Sequence, residues 1–264
     1  MNKKIFYCLI TLLTILFMPS YTNANQLFNQ AGENLSTKEY NWYITFNKNI
    51  PPFPPKEINN YLEKYDVHFL GDTSKKVLYL TFDEGYENGY TEIILDILKK
   101  NNVKAAFFVV KPYILSNKTI IERMYKEGHL VCNHSSSHPS MAKVTDYAKF
   151  QKEFSDVETA YKEVTGKDMI KLFRPPMGKY SELSLSNTKV LGYKTIFWSF
   201  AYMDWLVNKQ PTKAYALDKI LNRTHSGEIV LLHAVSKTNA EILDEVITTW
   251  HKMGYTIETL DKIK

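Results

Sequence analysis

The chain has 264 residues, 44% hydrophobic and 23% charged, enough for one α/β domain with a large core rather than two domains. A formal net charge of +5 without any dense basic block argues against a nucleic-acid partner. Residues 1–24 read as a secretory signal peptide: Lys3 and Lys4, then an uncharged apolar run from 5 to 18, then the small-residue segment Thr22-Asn23-Ala24. The apolar run is shorter than the ~20 residues a bilayer span needs, so no stable membrane insertion is expected after cleavage. Cleavage would remove Lys3 and Lys4, lowering the net charge from +5 to +3. It would also remove Cys8, leaving Cys132 as the single cysteine, which excludes an intrachain disulfide in an exported protein.

Residues 25–76 form an arm of different character. Pro51-Pro52-Phe53-Pro54-Pro55 must be extended, because proline fixes its own backbone and restricts the residue before it. Trp42, Tyr43, Tyr61, Tyr65 and Phe69 are placed to pack this arm onto the domain. From Val77 onward, short apolar runs alternate with amphipathic segments. Strands are expected at 77–82, 104–110, 129–131, 171–173, 195–199, 229–232 and 255–259. Helices are expected at 90–100, 119–127, 147–164, 183–191, 214–223 and 240–253, and Gly128, Gly166, Gly192 and Gly254 each follow one as a C-terminal cap. Near-continuous apolar strands between helices imply a parallel sheet, and seven such units suffice to close a barrel.

On this map the polar clusters fall just after strand ends, the face where parallel barrels gather their active sites. His134-Ser135-Ser136-Ser137-His138 places two imidazoles four apart, on one face of an expected helical turn, a spacing suited to joint ligation of a zinc-like ion. Asp83 and Glu84, in Thr81-Phe82-Asp83-Glu84-Gly85, offer a general base and a carboxylate ligand on the expected turn after the first strand. Two histidines and one acid leave a coordination position open for water, which is the chemistry of metal-assisted hydrolysis. Cys132 reads as a small buried apolar residue, and His129, His225 and His251 carry no assigned chemistry.

The ordered series TFDEG, HSSSH, RPPMG, Asp204-Trp205 and Leu231-Leu232-His233 resembles the polysaccharide deacetylases, carbohydrate esterase family 4, also called the NodB homology domain. The similarity runs from about Val77 to the C-terminus, so the domain is bounded at 77–264. Its wider wording, from TFDEGYENGYT to LLHAVSKTNAE, resembles the spore-cortex N-acetylmuramate deacetylases. The resemblance implies a distorted (β/α) barrel, in agreement with the count of about seven parallel strands.

It also implies roles. Asp83 corresponds to the catalytic base and Arg174 to the arginine that orients it. His134, His138 and Glu84 correspond to the ligands of a divalent metal ion, zinc being the expected one. Glu84 stands where the family usually carries aspartate, and its extra methylene moves the carboxylate outward by ~1.5 Å. The Met177 backbone N–H corresponds to the oxyanion donor. His233 corresponds to the general acid, Asp204 to the carboxylate that keeps it charged, and Trp205 and Leu231 to the pocket for the acetyl methyl group.

The expected substrate is a peptidoglycan glycan strand whose N-acetylmuramic acid has lost its stem peptide. Deacetylation would then lead to muramic δ-lactam in the extracytoplasmic space of the cell wall or spore cortex. Muramate differs from glucosamine by a lactyl carboxylate, so selectivity calls for a cation at the site mouth. Lys237, four residues after His233, and Lys179, five after Arg174, are the candidates. Deacetylation of N-acetylglucosamine, or a non-catalytic wall-binding role, remains open on the sequence.

Overall fold

The computed structural model describes residues 35–47 and 50–263, and the expected signal peptide lies outside them. Ser36–Lys264 form one compact unit. In the arm, β1 (Tyr40–Asn41), β2 (Thr45–Asn47), β3 (Ile50–Phe53) and β4 (Val67–His68) come first. The domain continues with β5 (Val77–Glu84), α1 (Thr91–Lys100), β6 (Ala106–Val109), α2 (Lys111–Ser116), α3 (Lys118–Lys126), β7 (Leu130–Asn133) and α4 (Tyr147–Thr165). It ends with β8 (Leu172–Phe173), β9 (Lys179–Tyr180), α5 (Glu182–Val190), β10 (Lys194–Ile196), α6 (Lys213–Arg223), β11 (Glu228–His233), α7 (Lys237–Lys252) and β12 (Thr256–Ile257).

The central sheet runs β11-β5-β6-β7-β8-β10-β4, every pair parallel, with β12 beside the start of β5. A further parallel bridge between Phe200 and Val230 joins the chain beyond β10 to β11 and curls the sheet toward closure. This is the expected distorted barrel. Each of the seven expected domain strands is present, and β4 from the arm is an eighth. The arm strands and the six-residue α2 escape the sequence pattern because they are too short for a periodicity to register.

Period-two alternation along β5 sorts its side chains into two layers. Leu78, Leu80 and Phe82 join the large cluster under the helices, whereas Tyr79 joins a smaller interior cluster with Ala106, Phe108, Cys132, Leu172, Ile196 and Ile229. Cys132 is fully buried there, as expected of a small apolar residue. The longest helix, α4, starts at Asp146, whose side chain accepts the Lys149 N–H at 2.8 Å, and ends at Gly166 with φ 69°. A third cluster ties the arm down: Trp42, Ile58, Tyr65 and Val67 pack with Tyr180, Leu185 and Phe197. Trp42 stacks on Phe197 at 4.2 Å between ring centres. Ile58 and Phe197 are fully buried, contributing roughly 1.5–3 kcal/mol each. Trp42 and Tyr65 thus pack as expected, while Tyr43 is exposed.

Candidate active site

Asp83, next to last in β5, and His233, last in β11, are in direct Cα register on neighbouring parallel strands, so the β5–β11 pairing alone sets two functional groups side by side. Together with His134, His138, Met177, Trp205 and Leu231 they line one cleft of about 600 Å³ at the C-terminal edge of the sheet.

Arg174 follows β8 and is fully buried in the barrel interior. One terminal nitrogen donates to Asp83 Oδ1 at 2.7 Å and to Thr81 Oγ1 at 2.9 Å. Nε donates to the Ile196 carbonyl and the other terminal nitrogen to the Phe197 carbonyl, at 3.2 and 3.3 Å. Its guanidinium carbon lies 4.1 Å from the centre of the Phe108 ring. Burial pushes the Asp83 carboxyl upward, but the charge and hydrogen bond of Arg174, with the charge of His233, outweigh it and hold the group below the usual carboxylate range. Asp83 is thereby kept as an anion with Oδ2 turned toward His134, 3.6 Å from Nε2.

His134 and His138 meet through a loop rather than a helical turn, which corrects the geometry expected from their spacing. Ser135 and His138 adopt left-handed backbone, φ 69° and 57°, and the His134 and His138 rings pack edge to face with centres 4.9 Å apart. Ser135 Oγ accepts the His138 N–H, and Glu153 accepts both the N–H and the hydroxyl of Ser137. His134 Nδ1 donates to the Arg174 carbonyl at 2.8 Å, which fixes the tautomer and leaves Nε2 facing the cleft. Desolvation holds both imidazoles neutral at pH 7, with His134 down at about 4. Two neutral imidazoles, one oriented by a carbonyl, fit the donor chemistry of a zinc-like ion.

Glu84 does not join them. It is the last residue of β5 rather than part of a following turn, and it points to the opposite face from Asp83, into the layer under the helices. Its carboxyl is fully buried, neither oxygen has a hydrogen-bond partner, and burial with the nearby Glu87 and Asp83 charges raises its pKa well above normal. Among the described residues, no three His, Cys, Asp or Glu groups gather as a metal cluster. The expectation of Glu84 as third ligand is therefore not met: strand alternation, not side-chain length, carries it away.

The acid side of the cleft is more fully built. Asp204 is buried, and its two oxygens accept the His233 backbone N–H at 2.8 Å, His233 Nδ1 at 2.7 Å and Asn239 Nδ2 at 2.6 Å. Burial would lower the His233 pKa, but the Asp204 charge and hydrogen bond outweigh it, so the imidazole is held above its ordinary value. Trp205 lies over His233 at 5.5 Å between ring centres and remains 45% exposed, available to a ligand in the cleft, while Leu231 is buried in its wall. Met177 has φ 58° and sits in the cleft beside Gly178, φ 64°. A Cβ at Gly178 would come within 2.9 Å of Trp198 and 3.0 Å of Trp42, so this turn has room for glycine alone.

The two lysines do not reach the cleft. Lys179 pairs with Glu39 at 3.0 Å, and Lys237, the first residue of α7, is largely exposed with Glu241 3.9 Å away. Both expectations of a carboxylate-reading cation are corrected by these contacts, since each ammonium already has a carboxylate neighbour. Thr81, Asn239, Ser140 and Glu39 escape sequence reasoning. Thr81 and Asn239 carry a signal, lying in the segments TFDEG and LLHAVSKTNAE.

Residues 70–196 match the family model described as polysaccharide deacetylase. Peptidoglycan-N-acetylmuramic acid deacetylase PdaA of Bacillus subtilis is 45% identical over 214 residues, covering 81% of each chain. The structure of that B. subtilis protein, a family 4 carbohydrate esterase, superposes with TM-score 0.83 at 42% identity, over 87% of this chain and 98% of the other. A family 4 carbohydrate esterase from Bacillus anthracis gives TM-score 0.73 at 41% identity, over 87% and 97%. With similarity extending across most of both chains, this chain belongs to the polysaccharide deacetylase family, carbohydrate esterase family 4.

Proposed function

We propose that this protein is an exported, metal-dependent N-deacetylase that acts on peptidoglycan N-acetylmuramic acid lacking its stem peptide. The observation that carries the reading is that Asp83 and His233 face one cleft from adjacent strands, each backed by a buried partner of opposite charge, Arg174 and Asp204. Similarity to B. subtilis PdaA supports the choice of substrate.

His134 and His138 are the residues that would hold a divalent ion, zinc being the natural partner of imidazole. When bound it supplies Lewis-acid polarisation of the acetamide carbonyl and of water. Asp83, kept anionic by Arg174, takes a proton from the water that adds to the carbonyl carbon. The Met177 N–H stabilises the negative charge that develops on the carbonyl oxygen. His233, kept protonated by Asp204, gives its proton to the leaving nitrogen as the C–N bond breaks, releasing acetate and the C2 amine. In muramate that amine lies near the lactyl carboxyl of the same sugar. Closure to the δ-lactam is then intramolecular, with an effective molarity on the order of 10⁵ M or more. Such a product belongs to the spore cortex.

One observation favours a second reading, N-acetylglucosamine as substrate: among the described residues, no lysine or arginine lines the cleft to receive a lactyl carboxylate. Acetate release from peptide-free muramate glycan, compared with N-acetylglucosamine oligomers, separates the two. Greater kcat/KM on the oligomers would overturn the muramate assignment. Equal inertness with both, metal present, would leave a non-catalytic wall-binding protein. Muropeptide mass spectra of a deletion strain should lack muramic δ-lactam.

A further inference from the structure

The arm does more than cover the barrel. Glu39, immediately before β1, places its two carboxylate oxygens on two different loops of the cleft. Oε2 accepts from Ser140 Oγ at 2.5 Å, and Oε1 accepts from Lys179 Nζ at 3.0 Å. Ser140 lies two residues after His138, with only Pro139 between them, and Lys179 lies two residues after Met177, with only Gly178 between them. The same strip of arm is stitched to the second loop by backbone. β1 pairs antiparallel with β9, Tyr40 opposite Tyr180 and Asn41 opposite Lys179, and the Trp42 N–H donates to the Gly178 carbonyl at 2.7 Å.

Both loops need such support. His138 and Met177 each hold φ near +57°, a conformation costly for a residue with a side chain, which persists only where surroundings over-determine it. Ser135, within the loop, and Glu153, on α4, brace the histidine side, and neither of those contacts reaches the methionine side. Glu39 joins the two loops at their far ends, Ser140 and Lys179, whereas the His134–Arg174 hydrogen bond joins them only at their start. Its carboxylate is about one-quarter exposed, and the Ser140 hydrogen bond and then Lys179 hold it below the ordinary glutamate range, so the tie is a charged one at neutral pH.

We propose that Glu39 is a positioning residue for the deacetylation: it fixes the spacing between the His138 imidazole and the Met177 N–H, making the arm part of the working site. The inference rests on the functional reading above. Groups hydrogen-bonded directly to a metal ligand typically change metal affinity or activity by about 10–100-fold, and Glu39, acting through Ser140 two residues from His138, is expected at the lower end of that range.

The test compares Glu39→Ala, which removes both contacts, with Glu39→Gln, which keeps an acceptor for Ser140 and loses the ion pair. Glu182→Gln serves as the control: Glu182 ties Lys64, Tyr65 and Ser36 of the arm to α5 without touching either cleft loop. In the full chain, Glu39→Ala should lower kcat about tenfold or more while KM moves little, and should weaken zinc affinity in calorimetric titration. Glu39→Gln should recover part of both losses, and Glu182→Gln should lower thermal stability without either loss. Ser140→Ala should reproduce part of the zinc effect and add nothing to Glu39→Ala. A Glu39→Ala protein with wild-type kcat and zinc affinity overturns the inference, as does a Glu182→Gln protein with the same kcat and zinc losses. Should Glu39→Ala fail to fold, Ser140→Ala and Lys179→Met decide the matter, and wild-type kcat and zinc affinity in both overturn it. Failure of the functional reading looks different: the wild type itself releases no acetate, while zinc affinity still reports on the tie.

Discussion

Replacing Arg174 by glutamine should destabilise the protein far more than a surface charge change, and in a pH-dependent way. Arg174 is fully buried and shares its donors among Asp83, Thr81 and two carbonyls. Removing one partner of a buried ion pair leaves the other charge uncompensated, at a cost of about 3–5 kcal/mol. For a unit of this size, 1 kcal/mol shifts Tm by about 2–4 °C, so the expected fall is about 6–20 °C. In the wild type the depressed Asp83 pKa contributes stability that is fully present above its unfolded value and is lost as pH falls through the folded one. Without Arg174 the burial effect is opposed chiefly by His233, and the pKa rises. The deficit should therefore be largest near neutral pH and narrow as acid protonates Asp83. The assay is thermal unfolding of the metal-free proteins at several pH values, with Asp83→Asn and the double variant completing a cycle. Asp83→Asn/Arg174→Gln should be more stable than the sum of the single losses, because no orphan anion remains. Additive losses, or a Tm change under 2 °C at neutral pH, would refute the argument that Arg174 compensates a buried charge.

Asp204→Asn should move the basic limb of the kcat/KM profile to lower pH, since the Asp204 charge is what raises the His233 pKa, and only protonated His233 can donate; an unmoved limb would separate His233 from the acid role. Glu84→Gln should leave zinc affinity unchanged by titration, and Glu84→Leu should leave it unchanged with equal or greater thermal stability, because an unpartnered buried carboxyl is removed. His134→Ala should lose zinc affinity and activity together, whereas Asp83→Asn should lose turnover in a single-turnover assay and keep the metal. Gly178→Ala should lower both Tm and kcat, because its Cβ would meet Trp198 and Trp42 in a backbone conformation alanine resists; a neutral result would show that the Met177 turn can shift without consequence.

Much of the architecture is local and therefore legible along the chain. Apolar runs such as 77–82 and amphipathic segments such as 147–164 declare strand and helix by their period, and alternation of the two allows little besides a parallel sheet. The ordered motifs then identify Asp83, Arg174, Asp204 and His233, each of which the fold brings to the same cleft or its buried floor. What the chain leaves open is direction. Adjacent letters Asp83 and Glu84 look like one acidic pair, yet a strand sends them to opposite faces, one to Arg174 and one into the apolar layer. Lys179 and Lys237 lie close to the motifs in sequence, but Lys179 is placed beside a carboxylate 140 residues away that a one-dimensional reading cannot see, and Lys237 stands on a helix start beside Glu241, away from the cleft lining. The two histidines share a spacing that suits a helix, and a left-handed loop braced by serine and glutamate side chains sets their real geometry. Residue type and period belong to the sequence because they act over a few positions; side-chain direction and long-range partners belong to the tertiary structure, since only packing decides which distant groups share the low-dielectric interior.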